Sequence, residues 1–474
     1  VGDTKKLLIL TEAGDKIGFG HYTRCSAIKD CIQDKGVEAL MVLFTQGNIK
    51  YEDALSLDWM NDFNSLEKLS HEYSTVLIDS YLSSGGVIER IKQLFERVIV
   101  IDDYNRIPYK ADLIVNPNVF FEEIDYGNQQ APVYGGENFV ILRKSFREHE
   151  ATTERPQFIN NVLITFGGSD FRNLNLPLLK FLVANFPHIN FSAVVIEDTA
   201  REQIKQELPN VQLMGKLTEE QIYEQFLKAD LVVSACGQTL HELASMNKRV
   251  IGICLDHDQE PNQNFYYKRG FLSQIIKWDD KDIFEKIKKA FSLTSQPFDL
   301  SKDGVENIIR LIFSERILKF KKAEINDCER LFVWANDKAV REAALNSQNI
   351  AFPDHETWFM KKLQSPESKN FLVYDGELAV GQLRVDFTDN FNGILDYSVD
   401  SSLRGKGYGR EILSWAKYLF SPKVILKGIV KESNLASQKA FLSAGYFLHS
   451  CETIQEHQCK IFSSEDIKIS SDKK

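Results

Sequence analysis

The sequence predicts an α/β protein in which two doubly wound units precede an α+β module, three domains in 474 residues. Three observations predict it. Short apolar runs alternate with helical patterns twice over, first from Lys5 and again from Asn161, as in parallel sheets covered by helices on both faces. Each series opens with a glycine turn between strand and helix, Gly18-Phe19-Gly20 and then Gly167-Gly168. After Arg316 the grammar changes to a helix, successive strands about an Asp375-Gly376 turn, and a helix-strand-helix ending. The boundaries expected are 1–150, 151–315 and 316–474, close to the ~150 residues of an ordinary domain.

The elements follow in order. Lys5–Ala13 is a strand, Gly14–Gly20 a loop, His21–Lys35 a helix closed by Gly36, and Ala39–Phe44 the next strand. Apolar runs at Thr75–Asp79, Arg97–Asp102 and Leu113–Val115 continue the sheet. The charged stretch Arg143–Gln157 separates it from strands at Asn161–Phe166, Phe191–Ile196, Leu231–Ala235 and Val250–Ile253, with a helix at Glu219–Lys228. Helix Gly304–Phe313 ends the second unit. The third has helix Ile325–Asn336, strands Phe371–Tyr374, Ala379–Phe387 and Gly393–Val399, helix Tyr408–Phe420, strand Val424–Val430 and helix Ala436–Gly445. Ligands of parallel sheets sit beyond the strands' carboxyl ends, so the loops there carry the candidate residues.

Composition narrows the function. The net charge is −10; the first 315 residues hold 34 basic and 46 acidic side chains, the rest 23 and 21. That sign disfavours nucleic acid as a partner. Seven scattered cysteines, without a Cys-x-x-Cys pair, read as reduced thiols rather than a zinc site, so no metal is expected. No apolar run reaches the ~18 residues of a membrane span, and Val1–Lys6 lacks a secretory apolar core. A cytoplasmic protein without a membrane partner is expected.

Three turns suit phosphate. Ile17-Gly18-Phe19-Gly20-His21 lets backbone approach an anion at a helix start, and Phe166-Gly167-Gly168-Ser169-Asp170 does the same in the second unit. Ser234-Ala235-Cys236-Gly237-Gln238-Thr239 runs into a helix where the amides of Gly237, Gln238 and Thr239 could hold a diphosphate and Glu242 the ribose hydroxyls. Three such turns point to a nucleotide. His21 is a candidate general base. Asp79 and Tyr81 end one strand on the same rim; Asp103, ending another, reads as a solubilising loop charge.

Together, Ile17–His21, Ile78–Tyr81, Ile101–Tyr104, Phe166–Asp170 and Ser234–Glu242 resemble the UDP-sugar hydrolase family of pseudaminic acid biosynthesis, over residues 5 to about 290. That family cleaves UDP-2,4-diacetamido-2,4,6-trideoxy-β-L-altropyranose and is related to the lipid II-forming N-acetylglucosaminyltransferase. The resemblance implies two Rossmann-like domains in a GT-B-type arrangement, His21 as base for an inverting attack of water, Gly18, Gly20, Gly168 and Ser169 near the diphosphate, and Asp79 and Tyr81 on the sugar side. It also implies that Gln259, Glu260 and Asn262 touch the sugar.

In the third module Arg404-Gly405-Lys406-Gly407-Tyr408-Gly409 fits Arg-x-x-Gly-x-Gly between a strand and a helix, where successive amides can wrap a pyrophosphate. With Glu432–Ser437 and Ala440–Tyr446 at the family's spacing, residues 316–462 resemble the GCN5-related N-acetyltransferases. The resemblance implies acetyl-CoA as co-substrate, its pyrophosphate on Arg404–Gly409 and its pantetheine beside Val399, with Asn434 and Ser437 nearby. Glu432 is the candidate base for the acceptor ammonium. Where many members carry a tyrosine that protonates the leaving thiolate, this chain has Phe441, so Tyr397, Ser398 or solvent takes that task.

The combined expectation is a bifunctional enzyme that N-acetylates the 4-amino group of a UDP-4-amino-4,6-dideoxy sugar and then hydrolyses the product to free sugar and UDP. Two alternatives stay open: a glycosyltransferase using an acceptor other than water, and an acetyltransferase module that only binds acetyl-CoA.

Overall fold

The computed structural model describes residues 6–14, 18–46, 53–149, 155–167 and 170–465. The chain splits into two compact units, Val1–Gln130 with Gly135–Phe313, and Ala131–Tyr134 with Ser314–Lys474. The first contains two sheets. Strands β1 (Lys6–Gly14), β2 (Glu38–Gln46), β3 (Leu55–Ser56), β4 (Thr75–Asp79), β5 (Arg97–Ile101), β6 (Leu113–Asn116) and β7 (Val133–Gly135) lie in the order β3-β2-β1-β4-β5-β6-β7. Parallel pairing joins β1 to both β2 and β4, with Thr11 opposite Asp79. Chain order thus reverses between β1 and β4, making their carboxyl ends the switch point where such sheets bind ligands. Helix α1 (Gly20–Asp34) starts there, and Gly36 closes it at φ 73°, a conformation open to glycine at little cost.

The second sheet has β8 (Asn161–Thr165), β9 (Asn190–Val194), β10 (Gln212–Met214), β11 (Leu231–Ala235), β12 (Val250–Cys254) and β13 (Ile276–Lys277), in the order β10-β9-β8-β11-β12-β13. Its switch point lies between β8 and β11, the strands that precede the two glycine turns. These strands are buried on both faces: Ile164, Val233 and Ile253 pack with Leu178 and Ile287, whereas Leu163 and Val232 pack with Phe146 and Phe226 on the other side. Burial of each such side chain contributes about 1.5–3 kcal/mol. Helix Glu219–Lys228 forms at its expected bounds because Thr218 and Gln221 make a reciprocal capping box. Helix α2 (Gln238–Ser245) follows β11.

The second unit is a largely antiparallel sheet. Strands β14 (Leu318–Lys322), β15 (Ser368–Asp375), β16 (Leu378–Phe387), β17 (Asn392–Val399), β18 (Ile425–Lys431), β19 (Phe447–Ile454) and β20 (His457–Ser463) run β14-β15-β16-β17-β18-β20-β19. Gly376, at φ 57°, makes the expected β15–β16 turn. Among the described residues of this unit only β17 and β18 pair in parallel, from Asn392 opposite Ile425 to Leu395 opposite Gly428. Helices α3 (Tyr408–Ala416) and α4 (Leu435–Ser443) follow β17 and β18. The expected helix Ile325–Asn336 is a 3-10 turn, Ile325–Asp327, then Cys328–Ala335, because Glu324 and Asp327 cap each other across the turn. Strands β14, β19 and β20 and helix Phe352–Gln364 escaped the sequence reading.

Candidate functional site

His21 is the second residue of α1 and is 6% exposed. Its Nδ1 lies 2.8 Å from Asp79 Oδ1, at the end of β4. Arg24, one turn along α1, donates to both Asp79 oxygens at 2.5 Å and to both Asp103 oxygens at 2.9 Å. Burial alone would raise Asp79, but Arg24 and His21 beside it hold its carboxyl well below the usual range. Asp103 is lowered in the same way against its burial, chiefly by Arg24. Both carboxylates are therefore ionised. The same Nδ1 lies 3.1 Å from Arg24 Nη2; in the tautomer that donates from Nδ1 to Asp79, the lone pair is on Nε2, the arrangement of a base. His21 Nε2 stands 4.0 Å from the fully buried Glu12.

Asp103 corrects the sequence expectation: at 3% exposure it is no loop charge but the second anchor of Arg24. Tyr81 donates to Asp103 at 2.5 Å while its ring meets His21 edge-on at 4.4 Å. Burial and the Asp103 charge push the Tyr81 hydroxyl up, so it remains a donor. Glu12 fixes the Tyr81 backbone by accepting its amide at 2.8 Å, and it also accepts the Ser80 hydroxyl. Gly18 sits at φ 84° with open space where a Cβ would project, and Gly20 is equally open. Arg24 and Glu12 were missed; the three-residue spacing of His21 and Arg24, which shares one helix face, was the available signal.

In the second half, Gly237 stands as the residue before α2, preceding Gln238 and Thr239. The first amides of a helix have no intrahelical acceptor, so those of Gln238 and Thr239 are free to meet an anion. Gln259 braces the turn by accepting from the Cys236 and Leu255 amides at 3.2 Å, and Asn262 donates to the Cys236 carbonyl at 3.3 Å. The Asn262 Oδ1 is buried without a partner. Glu260 pairs instead with His257 and Lys277, each at 2.8 Å. Glu242 is 1% exposed and accepts from Arg143 at 2.6 and 2.8 Å; burial raises its carboxyl despite that partner. A ribose would have to share Glu242 with Arg143, a residue the sequence reading left unassigned. Tyr104, after β5, donates to the Asp258 carbonyl at 3.3 Å, which brings the two sets of loops together. Gly168 and Ser169 lie outside the described residues.

In the second unit β17 extends to Val399 and β18 to Lys431, yet their pairing stops at Leu395 and Gly428. Each remains paired on its outer side, β17 to β16 and β18 to β20. The sheet therefore opens along residues 396–399 and 429–431, with Val399 on the rim. The Arg404–Gly409 turn follows, with Gly405 at φ 79° and Gly407 at φ 89°, conformations that suit glycine, and open space at Gly405. The amides of Tyr408 and Gly409 head α3. Arg404 pairs with Asp337 at 2.7 Å, the Lys406 carbonyl accepts from Arg316 at 3.1 Å, and the Lys406 side chain is exposed. Tyr408 offers only its amide: its ring is 7% exposed and its hydroxyl donates to Asp375 at 2.8 Å. A glycine turn with open space, heading a helix beside a split sheet, fits a nucleotide pyrophosphate and an extended arm.

Asn434 caps α4 by accepting the Ser437 amide at 3.1 Å, and Ser437 Oγ lies 3.2 Å from the Tyr397 hydroxyl. Glu432 lines an open pocket of about 390 Å³ with Lys431, Ser433, His457 and Gln458. His457, on an unanticipated strand, brings a second proton acceptor; its Nε2 is 3.1 Å from the Leu345 carbonyl.

Among the described residues no group of His, Cys, Asp and Glu is arranged to hold a metal ion, and no helix is long and apolar enough to cross a membrane. Over nearly its whole length the chain is 22% identical to the uncharacterized protein MJ1062 of Methanocaldococcus jannaschii, a match covering 93% of this chain and 96% of that protein. Solved structures similar to part of the chain include AAC(6')-Ib in complex with ribostamycin and coenzyme A, 15% identical, covering 31% of this chain and 92% of that one, TM-score 0.29. Spermidine N-acetyltransferase from Vibrio cholerae, in complex with CoA and spermine, is 13% identical, covering 31% of this chain and 94% of that one, TM-score 0.29. Residues 327–446 match the model of the acetyltransferase (GNAT) family. The C-terminal module of this chain is a GNAT acetyltransferase domain.

Proposed function

We propose that the chain carries out two consecutive reactions on one UDP-linked amino sugar of the pseudaminic acid type: acetyl-CoA-dependent acetylation of a 4-amino group, then hydrolysis of the UDP-sugar with inversion. The observation that carries the hydrolytic step is the His21–Asp79 pair, buried at the β1–β4 switch point and locked by Arg24. His21 Nε2 takes a proton from water; the water oxygen bonds to the anomeric carbon; the bond from that carbon to the diphosphate oxygen breaks, and UDP leaves with the electron pair. Amides at the Gly237 turn receive the developing negative charge. Tyr81 faces the sugar, with Gln259 and Asn262 fixing the turn behind it.

In the acetylation, acetyl-CoA supplies the activated acetyl group. The amides of the Arg404–Gly409 turn bind its pyrophosphate, the open edge at Val399 orients the arm, and Glu432 removes the ammonium proton of the acceptor, directly or through water.

The test is product mass spectrometry with acetyl-CoA and the UDP-4-amino-4,6-dideoxy sugar. Wild type should yield free diacetamido sugar and UDP, whereas His21→Ala should stop at the acetylated UDP-sugar. UDP release that survives His21→Ala, or that appears only when an acceptor alcohol is added, rejects the hydrolase reading.

A further inference from the structure

A trans peptide carries its C=O and N–H on opposite sides, so a group that fixes a carbonyl also aims the amide of the next residue. In the glycine turn of the second unit that group is Arg316. Its Nη1 donates to the Lys406 carbonyl at 3.1 Å and lies 3.5 Å from the space a side chain on Gly407 would fill. The Gly407 N–H is thereby directed away from the guanidinium, and among the described residues it meets no acceptor. The next amides, of Tyr408 and Gly409, open α3. Arg316 is itself held on two sides: its guanidinium lies over the Tyr408 ring, 4.7 Å from the centroid, and its Nε is 3.8 Å from Asp375 Oδ2, which also accepts the Tyr408 hydroxyl at 2.8 Å. Arg404 and Arg410 turn instead to Asp337 and Glu411. Arg316 precedes β14 by two residues and stands outside the stretch 327–446 that matches the acetyltransferase family, so the motif alone does not reveal it.

We propose that Arg316 is a positioning residue for acetyl-CoA: by holding the Lys406 carbonyl it presets the Gly407 amide as a donor to the pyrophosphate. This rests on the reading of the Arg404–Gly409 turn as the pyrophosphate site. Glycine at 407 gives the turn its φ of 89°, and the same freedom makes the peptide before it easy to flip. A flipped Lys406–Gly407 peptide would set a carbonyl oxygen against the phosphate and remove one amide from the cradle. Arg316 closes off that alternative by giving the carbonyl a cationic donor on the far side of the turn. The Asp375 and Tyr408 contacts keep the guanidinium in place, so the cradle is shaped before the ligand arrives and less of its binding free energy goes into ordering the loop.

The experiment compares wild type and Arg316→Met in the full chain by the binding of three probes: CoA, dephospho-CoA, which keeps the pyrophosphate but lacks the 3′-phosphate, and pantetheine, which has no phosphate. Calorimetry serves the first two and ligand-detected NMR the third. Arg316→Met should weaken CoA and dephospho-CoA alike, by about tenfold, and leave pantetheine and the melting temperature of the ligand-free protein unchanged. Affinities for CoA and dephospho-CoA within twofold of wild type overturn the assignment. So does a loss seen with CoA and absent with dephospho-CoA, which would put Arg316 on the 3′-phosphate, and so does an equal loss with pantetheine, which would mean general damage to the fold. The reading beneath the proposal fails separately: a wild type that binds dephospho-CoA no more tightly than pantetheine has no pyrophosphate site at the turn, and both fall; a tight wild type with an unchanged variant removes Arg316 alone. Should Arg316→Met unfold, Arg316→Lys, which keeps the charge but not the planar fork that reaches the carbonyl and Asp375 together, reads the same comparison, and no change in dephospho-CoA affinity there overturns the proposal.

Discussion

Arg24→Leu tests the charge balance beneath His21. The wild-type cluster has one cation between two carboxylates that are 0% and 4% exposed, with contacts of 2.5 and 2.9 Å. Charges about 4 Å apart interact by about 4 kcal/mol at an effective dielectric of 20, and breaking a buried pair costs about 3–5 kcal/mol because the partner is left uncompensated. Removing Arg24 strands two carboxylates, whereas Asp103→Asn leaves a neutral Arg24–Asp79 pair and should cost under about 2 kcal/mol. The pH dependence separates the cases. In wild type both carboxyls lie below their unfolded value of about 3.9, so their stabilisation is present above that pH and is lost as pH falls. Without Arg24, burial and mutual repulsion raise them, the folded state binds protons more tightly, and stability declines as pH rises from 5 to 8. Urea midpoints at pH 5, 6.5 and 8 for the three proteins give the answer. An Arg24→Leu curve parallel to wild type and within about 1 kcal/mol of it would refute the argument.

Asp79→Asn keeps the shape of the site but loses the charge that holds the Nδ1 proton of His21, so UDP release should fall by about 10²–10⁴-fold with little change in UDP binding, read from steady-state kinetics and calorimetry. Glu432→Gln should lower acetyl transfer by about 10²-fold and recover in part at high pH, where the acceptor amine arrives unprotonated; a pH profile of kcat/KM checks it. Gly409→Ala should displace the Tyr397 ring, because its Cβ would lie 3.2 Å from Cε2, and should weaken acetyl-CoA binding without unfolding the domain, as calorimetry and thermal melts will show. Gly237 has φ −89° and only the Gln259 side chain 3.8 Å from a Cβ, so Gly237→Ala should fold normally and report on UDP affinity alone.

The strands of the first unit that were legible are apolar runs that the fold buries; Thr75–Asp79 and Leu231–Ala235 appear at their expected bounds, whereas the exposed β3 and the largely unburied β10 escaped the reading. The strands β19 and β20 were not legible either, since β19 is polar and mostly exposed and carries no alternation strong enough to read. At the site, His21 and Asp79 came from the ends of one helix and one strand, and each stood out locally. The role of Arg24 depends on partners 55 and 79 residues away, which no local pattern encodes. Asp103 was misread for the same reason: a carboxylate after a strand looks solvated until the cation that buries it is known. At Tyr408 the reading rested on the backbone amide, and the role of the side chain, which anchors the Asp375 end of β15, had no local signal.

The opening between β17 and β18 makes the second unit's sheet two panels, β14 to β17 and β18 to β20, stitched by four residue pairs from Asn392–Ile425 to Leu395–Gly428. A ligand arm that bonds to both free edges would act as the missing stretch of seam. Of residues 396–399 and 429–431, the backbone protons that face the gap rather than β16 or β20 would then trade with solvent quickly in the empty protein and slowly in the loaded one, while the four stitched pairs stay slow in both. Occupancy of the site would thus register as mechanical closure of the sheet itself, measurable without following any chemistry.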